Sequence, residues 1–338
     1  MRPRALVTGA SGMLGRYTAE VLLERGWSVR ALVRSRAAHE TLRERGLEPV
    51  EGHLEDAHTL IQAARGCSAV FHAAAVIGAS SDAASFRAAN VSGTGNVVEA
   101  AASAGARLVH VSSTAVYGRA RYGATPTDED TPLPELPGED AYGRSKQEAE
   151  AVVMEACRAG RVWATVVRPP VMYGIGDRQL APRLGPVLMQ GLFPLIGGGG
   201  TTLTFVHARN VAEGVVLAAE RDEACGKVFL LSDDFPLTVA AFVQGASRGL
   251  GKRIFTPTVA PLVGRWGFAL LGLGLSAAGR RDLVRHARGT LEMLTRDNPF
   301  TSQRARAVLG WRPSVTPAEG LAEAFAWWRR TSHPRGGR

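Results

Sequence analysis

The run Arg4-Ala5-Leu6-Val7-Thr8 is short and apolar, and it leads directly into Gly9-Ala10-Ser11-Gly12-Met13-Leu14-Gly15 and then into helix-forming residues. This junction constrains the fold more than any other part of the chain. Glycines at 9, 12 and 15 permit a tight turn, a close backbone approach to a pyrophosphate and close helix–strand packing. The helix that follows offers free N–H groups and a partial positive charge to phosphates. With 39 glycines in the chain, three spaced glycines alone say little. Placed between a strand and a helix at the start of a βαβ unit, they are a strong signal. Each gap holds two residues, which separates this loop from the Gly-x-Gly-x-x-Gly form.

Further along, short β-branched runs alternate with helical stretches. Strands are predicted at Ala5–Thr8, Ser28–Val33, Pro49–Glu51, Ala69–His72, Leu108–Ser112 and Val162–Arg168. Helices are predicted at Leu14–Arg25, Ala37–Arg45, Ala57–Ala64, Ala84–Ala104 and Tyr142–Ala159. Repeated strand–helix units of this length imply an α/β fold, a doubly wound parallel sheet of Rossmann type. After Arg168 the pattern loosens. Pro and Gly punctuate 169–200, a strand–helix pair follows at 203–220, and Lys227–Leu231 reads as a late sheet strand. A closing helix near Pro317–Arg329 carries Leu321, Phe325 and Trp328 on one face. The expected organisation is a cofactor-binding domain over 1–175, completed by the late strand, and a smaller, mainly helical substrate lobe over 176–330 interleaved with it. Residues 331–338 are expected to fray.

The formal charge of +9, from 40 basic and 31 acidic residues, invites a nucleic-acid reading. Only Lys146, Lys227 and Lys252 are lysines, however, so 37 of the basic residues are arginine, scattered without a long basic run. Nucleic-acid binding is therefore not expected. Cys67, Cys157 and Cys225 share no metal-ligand or Cys-x-x-Cys spacing and read as reduced thiols of a cytoplasmic protein. No metal is expected. With a strand predicted from Arg4, no leader peptide is expected. From Val259 to Ala278 the chain is apolar except for Arg265, and Arg280, Arg281, Arg285 and Arg288 follow. The segment reads as apolar helices roofing a substrate pocket, with peripheral docking at a membrane as the alternative.

Two local patterns carry chemistry. Strand 2 ends in Val33-Arg34-Ser35-Arg36, with no carboxylate before Glu40. An acidic residue there would grip ribose hydroxyls, whereas Arg accommodates a 2′-phosphate. Arg34, helped by Ser11, Arg16 or Arg36, therefore points to NADP(H), with NAD(H) as the alternative. Ser112-Ser113 follows strand 5, placing hydroxyls at the edge of the sheet where ligands of such folds bind. Tyr142-Gly-Arg-Ser-Lys146 opens a helix with Tyr and Lys on one face. A tyrosine has a free pKa of about 10 and needs a neighbouring cation to act near neutrality. In a chain so poor in lysine, Lys146 in this slot looks specifically required. Asp128, Glu129 and Asp130, in a Pro-rich loop, read as a solvated turn, and His72 and His207 as structural histidines.

Taken together, Thr8-Gly9-x-x-Gly12-x-x-Gly15, Phe71-His72-Ala73-Ala74-Ala75, Asn90-x-x-Gly93-Thr94, Ser112-Ser113, Tyr142-x-x-x-Lys146 and Arg168-Pro169-Pro170-Val171-Met172-Tyr173-Gly174 resemble the extended short-chain dehydrogenase/reductase superfamily. The resemblance runs from about residue 4 to 235 and resumes at 298–328. It implies catalytic roles for Ser113, which would hydrogen-bond the substrate oxygen, Tyr142, which would exchange its proton, and Lys146, which would lower the Tyr pKa and bind the ribose. It also implies cofactor contacts by Gly9, Ser11, Gly12, Met13, Leu14, Arg34, Leu54, Ala73, Ala74, Asn90, Tyr142, Lys146, Pro169 and Val171. His53 departs from the pattern, which has an Asp near the adenine. A homodimer pairing helices 84–104 and 142–159 is a further implication.

The superfamily includes sugar-nucleotide epimerases and dehydratases as well as reductases of apolar carbonyl compounds. Pro170 stands where the sugar-nucleotide branch usually has Asn, and Leu203 where it usually has a diphosphate-binding Arg. Phe205-Val-His-Ala-Arg-Asn210 is similar to the 3β-hydroxysteroid dehydrogenase branch. The expected function is an NADP(H)-dependent oxidoreductase interconverting a secondary alcohol and a ketone on a hydrophobic small molecule. A sugar-nucleotide epimerase or dehydratase, and a non-catalytic NADP-binding protein, are the alternatives.

Overall fold

The structure, a computed structural model, describes residues 2–77, 82–118, 126–232, 235–264 and 295–332. The apolar runs of the first half form the strands of a parallel sheet, and the segments between them are its crossovers. In chain order these are β1 (Arg4–Thr8), α1 (Met13–Glu24), β2 (Ser28–Val33), α2 (His39–Glu44), β3 (Glu48–Glu51), α3 (Ala57–Ala64) and β4 (Ala69–His72). Then come α4 (Ala83–Phe86), α5 (Gly93–Ala104), β5 (Arg107–Val111), α6 (Ala141–Arg158) and β6 (Ala164–Arg168). The predicted helix over 84–104 is not one α-helix: a π-helical turn over Arg87–Ser92 separates α4 from α5. Such turns accompany functional sites, and this one buries Asn90.

The second half supplies β7 (Val171–Tyr173), α7 (Leu180–Leu188), β8 (Leu195–Ile196), β9 (Phe205–His207), α8 (Ala208–Glu220), β10 (Val228–Leu230), α9 (Val239–Leu250), β11 (Thr258–Val259) and a last helix, α10 (Pro317–Ser332). The late strand β10 joins the main sheet, whose order is β10-β6-β5-β4-β1-β2-β3, with every pairing parallel. Two short parallel pairs, β7 with β9 and β8 with β11, lie outside it and were not predicted as pairs. Their strands are only two or three residues long, too short for alternation to show.

The central strands β1, β4, β5 and β6 are covered on both faces and are buried almost throughout, whereas the edge strand β3 keeps Glu48 and Glu51 exposed. One face packs α1 and α8 against Val7, Phe71, Val109 and Phe229. The other packs α3, α5 and α6 against Leu6, Val70, Leu108 and Val166. A third cluster of buried residues brings Leu188, Phe242, Leu321, Phe325 and Trp328 together. Trp311, late in the chain, is buried in the core of the sheet. The closing helix runs to Ser332, so the first two residues of the expected tail are helical. Residues 333–338 and 265–278 lie outside the described residues. Of the apolar segment only 259–264 is described, and there Leu262 and Val263 are exposed. No helix among the described residues is long and apolar enough to cross a membrane.

Candidate active site

Strand order reverses between β1 and β4, and the crevice beyond the carboxyl ends of these strands is where open α/β sheets bind ligands. The glycine loop forms its floor. Gly9 has φ +77°, and a Cβ there would lie 2.8 Å from the Ala74 backbone nitrogen. A Cβ on Gly15 would lie 2.2 Å from the Gly9 carbonyl oxygen. Both side chains are excluded, so loop, helix and the residues after β4 are in direct backbone contact. Gly12 precedes α1 with no capping side chain and no acidic residue in the first turn. The first N–H groups of Met13, Leu14 and their neighbours are thus left to an anion, and the loop fits a pyrophosphate.

Arg34 ends β2 with an exposed side chain and forms no ion pair among the described residues. Its expected helpers divide differently. Arg36 pairs with Glu51 at 2.9 Å. Arg16 donates to the Ile175 carbonyl at 3.0 Å and approaches Glu20 at 3.7 Å. Arg34 is thus the one of these three arginines without a described ion pair, and Ser11 is likewise exposed.

Beneath the crevice runs a hydrogen-bond chain whose direction can be deduced. Thr94 donates to the Asn90 carbonyl at 2.6 Å, so its Oγ1 accepts from His72 Nε2 at 3.0 Å. His72 Nδ1 then accepts from the Thr8 hydroxyl at 2.8 Å, and Thr8 Oγ1 accepts from the Ala74 N–H at 3.2 Å. Each group has one role, which fixes His72 as the neutral Nε2–H tautomer. Burial, and secondarily the Lys146 charge, hold its pKa down to about 3. Asn90 continues the network: its Oδ1 accepts from Val76 N at 2.8 Å and its Nδ2 donates to Ser145 Oγ at 3.0 Å. Ser145 in turn donates to the Tyr142 carbonyl at 2.8 Å. The Asn90 side chain, placed among the cofactor contacts by resemblance, is thus engaged in tying 74–76 to the start of α6.

Asp140 caps α6, accepting from Gly143 N at 3.0 Å, and sets Tyr142 in the first turn. Ser113 Oγ accepts from Ala115 N at 3.1 Å, which orients its hydroxyl. Burial raises the Tyr142 pKa, a hydrogen bond with Ser113 opposes the rise, and the Asp140 carboxylate adds to it. Lys146 is 3% exposed and donates to the Val111 carbonyl at 2.9 Å. Its ammonium thus reaches the end of β5, while the hydrogen bond with Ser113 favours the Tyr142 phenolate. Burial lowers the Lys146 pKa to about 8, with Glu150 one turn on pulling it back up.

Glu150 has a second task that sequence reasoning missed. It accepts from Arg168 through Nε at 2.9 Å and Nη2 at 2.6 Å, and both side chains are 5% exposed. Arg168 Nη1 also donates to the Tyr117 hydroxyl at 2.6 Å. The only sequence signal was an Arg at the buried end of a strand. His110, beside His72 with ring centroids 5.2 Å apart, was missed as well. Neither of its ring nitrogens has a partner among the described residues. The acidic loop is not a solvated turn throughout: Glu129 is buried, accepts from Leu230 N at 2.7 Å and lies 3.6 Å from Arg304.

The remaining expected contacts also gather at this edge. Ala73 and Ala74 follow β4, and the Leu54 carbonyl, after β3, accepts from Asn96 at 2.8 Å. The Pro169 carbonyl, after β6, accepts from Thr114 N at 3.0 Å, and Val171 presents an apolar side chain that is 47% exposed. No cluster of metal-ligating side chains occurs among the described residues.

A family model described as the NAD dependent epimerase/dehydratase family matches residues 5–231. The chain is similar, at 36% identity over 94% of both sequences, to a 4-hydroxy-2-methyl-3-oxo-4-farnesyl-3,4-dihydroquinoline-1-oxide ketoreductase of Stigmatella aurantiaca. It is 33% identical to a 2-alkyl-3-oxoalkanoate reductase of Stenotrophomonas maltophilia, covering 94% of this chain and 97% of that one. A 3 beta-hydroxysteroid dehydrogenase/Delta 5→4-isomerase of Mycobacterium tuberculosis is 28% identical, covering 96% of this chain and 90% of its own.

Proposed function

Since this chain belongs to the NAD dependent epimerase/dehydratase family, the extended short-chain dehydrogenases/reductases, and is an NAD(P)-dependent oxidoreductase, we propose that it uses NADPH to reduce a 3-oxo group on a hydrophobic compound. Both reductases named above act on 3-oxo compounds bearing a farnesyl or alkyl chain. The observation that carries the reading is the Ser113–Tyr142 hydroxyl pair at the end of β5, beside a glycine loop open to a pyrophosphate.

When bound, NADPH supplies the hydride to the carbonyl carbon. The residues do the rest. Gly9, Gly12 and the start of α1 hold the pyrophosphate, and Arg34 the 2′-phosphate. Ser113 donates a hydrogen bond to the substrate oxygen and polarises the carbonyl. Tyr142, whose raised pKa keeps it a phenol at neutral pH, donates the proton that completes the alcohol. Lys146, protonated below about pH 8, supplies positive charge beside the ribose and nicotinamide. Pro169 and Val171 close the nicotinamide side. The same reading places the enzyme in the cytoplasm as a homodimer through α5 and α6. It takes its substrate from solution or from a membrane interface, where the exposed Leu262 and Val263 supply apolar contact.

The test is a substrate panel followed at 340 nm with NADPH. A 2-alkyl-3-oxoalkanoate, a 3-oxosteroid and a prenylated quinolone are expected to include a substrate. UDP- and dTDP-sugars should give none. Turnover of a sugar nucleotide without added cofactor would replace this reading with the epimerase or dehydratase one.

A further inference from the structure

Cys157 and Cys225 stand 68 residues apart in sequence, yet their Sγ atoms are 3.8 Å apart. Cys157 lies in the last turn of α6 and Cys225 in the turn that leads into β10. Both are fixed to the same point of the sheet. Cys157 Sγ approaches the Ala164 carbonyl at 3.6 Å, and the Gly226 N–H, next to Cys225, donates to that carbonyl at 2.8 Å. The thiols therefore meet as a standing feature of the packing. Cys225 is exposed and Cys157 partly so, so a small reagent can reach the pair. Cys67, by contrast, is buried with its thiol pushed up by burial.

We propose that Cys157 and Cys225 are a redox modification site, closing to an intramolecular disulfide that fastens the end of the helix bearing Tyr142 and Lys146 to the edge of the sheet. The oxidant is a small-molecule disulfide such as oxidised glutathione. The Cys225 thiolate attacks one of its sulfurs, forming a mixed disulfide and expelling one glutathione thiolate, which takes up the proton Cys225 lost. The Cys157 thiolate then attacks Cys225 Sγ. The Cys157–Cys225 bond forms, the bond to glutathione breaks, and the second glutathione leaves as its thiol. The protein pair loses two electrons and two protons, and glutathione disulfide gains them. A sulfur–sulfur bond of about 2.0 Å requires the Sγ atoms to close by a little under 2 Å, within the reach of side-chain rotation and a small turn movement. Burial and the neighbouring thiol raise the Cys225 pKa, so the exchange quickens in mild alkali.

The experiment incubates the full-length protein with oxidised glutathione at pH 8.5 and then maps peptides without reduction. The expected result is a 157–225 cross-linked peptide, with Cys67 alone left as a free thiol that titrates after unfolding. Because the cross-link closes a long loop, Tm should rise by about 5 °C, and dithiothreitol should reverse the rise. Cys157→Ser should stop at a mixed disulfide on Cys225 with Tm unchanged. Wild type that stops at the mixed disulfide, cross-links only between two chains, or loses Tm on forming the 157–225 bond would overturn the proposal.

Discussion

Glu150 is the carboxylate shared by a buried arginine and the lysine of the site, and Glu150→Gln separates these two tasks from the shape of the side chain. Arg168 stays charged although burial disfavours it, because the Glu150 carboxylate faces its Nε and Nη2. Gln keeps the volume and one acceptor but removes the counter-charge. Leaving one charge of a buried pair unmatched costs about 3–5 kcal/mol, so the urea midpoint should fall accordingly. Replacing both partners, as Glu150→Leu with Arg168→Met, should recover most of that loss, since neither charge then remains buried. Lys146 responds at the same time. Its pKa of about 8 is held up by Glu150 against burial, so in Glu150→Gln the alkaline fall in NADPH-dependent reduction should move to lower pH. The stability signature runs in a definite direction. With Lys146 lowered from 10.5, the unfolded chain binds the extra proton between about pH 8 and 10.5, and its contribution to stability rises over that window. A Glu150→Gln protein that loses less than about 1 kcal/mol, with an unmoved pH profile, would refute the reasoning.

Acid should unfold the protein early. His72 and His207 are held neutral by burial, with pKa values of about 3 and about 4, and His110 is held well below its usual value. Their stabilising contribution is present above about pH 6.5 and is lost below it, about 2 kcal/mol each for His72 and His207 by pH 5. A urea midpoint that stays flat from pH 7 to 5 would contradict this. Replacing His110 with Leu removes two buried nitrogens without described partners and should raise stability by about 1–3 kcal/mol in urea titration. NADPH should bind at least about tenfold more tightly than NADH by fluorescence titration, and Arg34→Ala should remove that preference while leaving NADH affinity nearly unchanged.

The parts of the site legible in the sequence are those written as local patterns. Gly9, Gly12 and Gly15 carry their geometry with them, and Ser113 and Tyr142 sit at a strand end and a helix start that the β-branched and helix-forming runs predict. The rest depends on which elements the sheet order brings together. Nothing local links Glu150 to Arg168, because their contact needs α6 to lie over β6. Cys157 and Cys225 looked unrelated by spacing and meet only because β10 pairs with β6. Lys146 shows both sides: the spacing puts it on the helix face of Tyr142, and its hydrogen bond to the Val111 carbonyl depends on α6 packing against the end of β5. Which arginines enter ion pairs, such as Arg25 with Glu220 and Arg161 with Glu99, is likewise set by the fold and not by composition.

The central claim is hydride transfer to a 3-oxo group with Tyr142 as the proton donor. NADPH deuterated at C4, supplied with a 2-alkyl-3-oxoalkanoate, tests it by mass spectrometry of the product. The account predicts deuterium on the new carbinol carbon, and a loss of at least about 100-fold in its formation in Tyr142→Phe, with NADPH affinity nearly unchanged. Alcohol formed without deuterium, or formed at the wild-type rate by Tyr142→Phe, would contradict it.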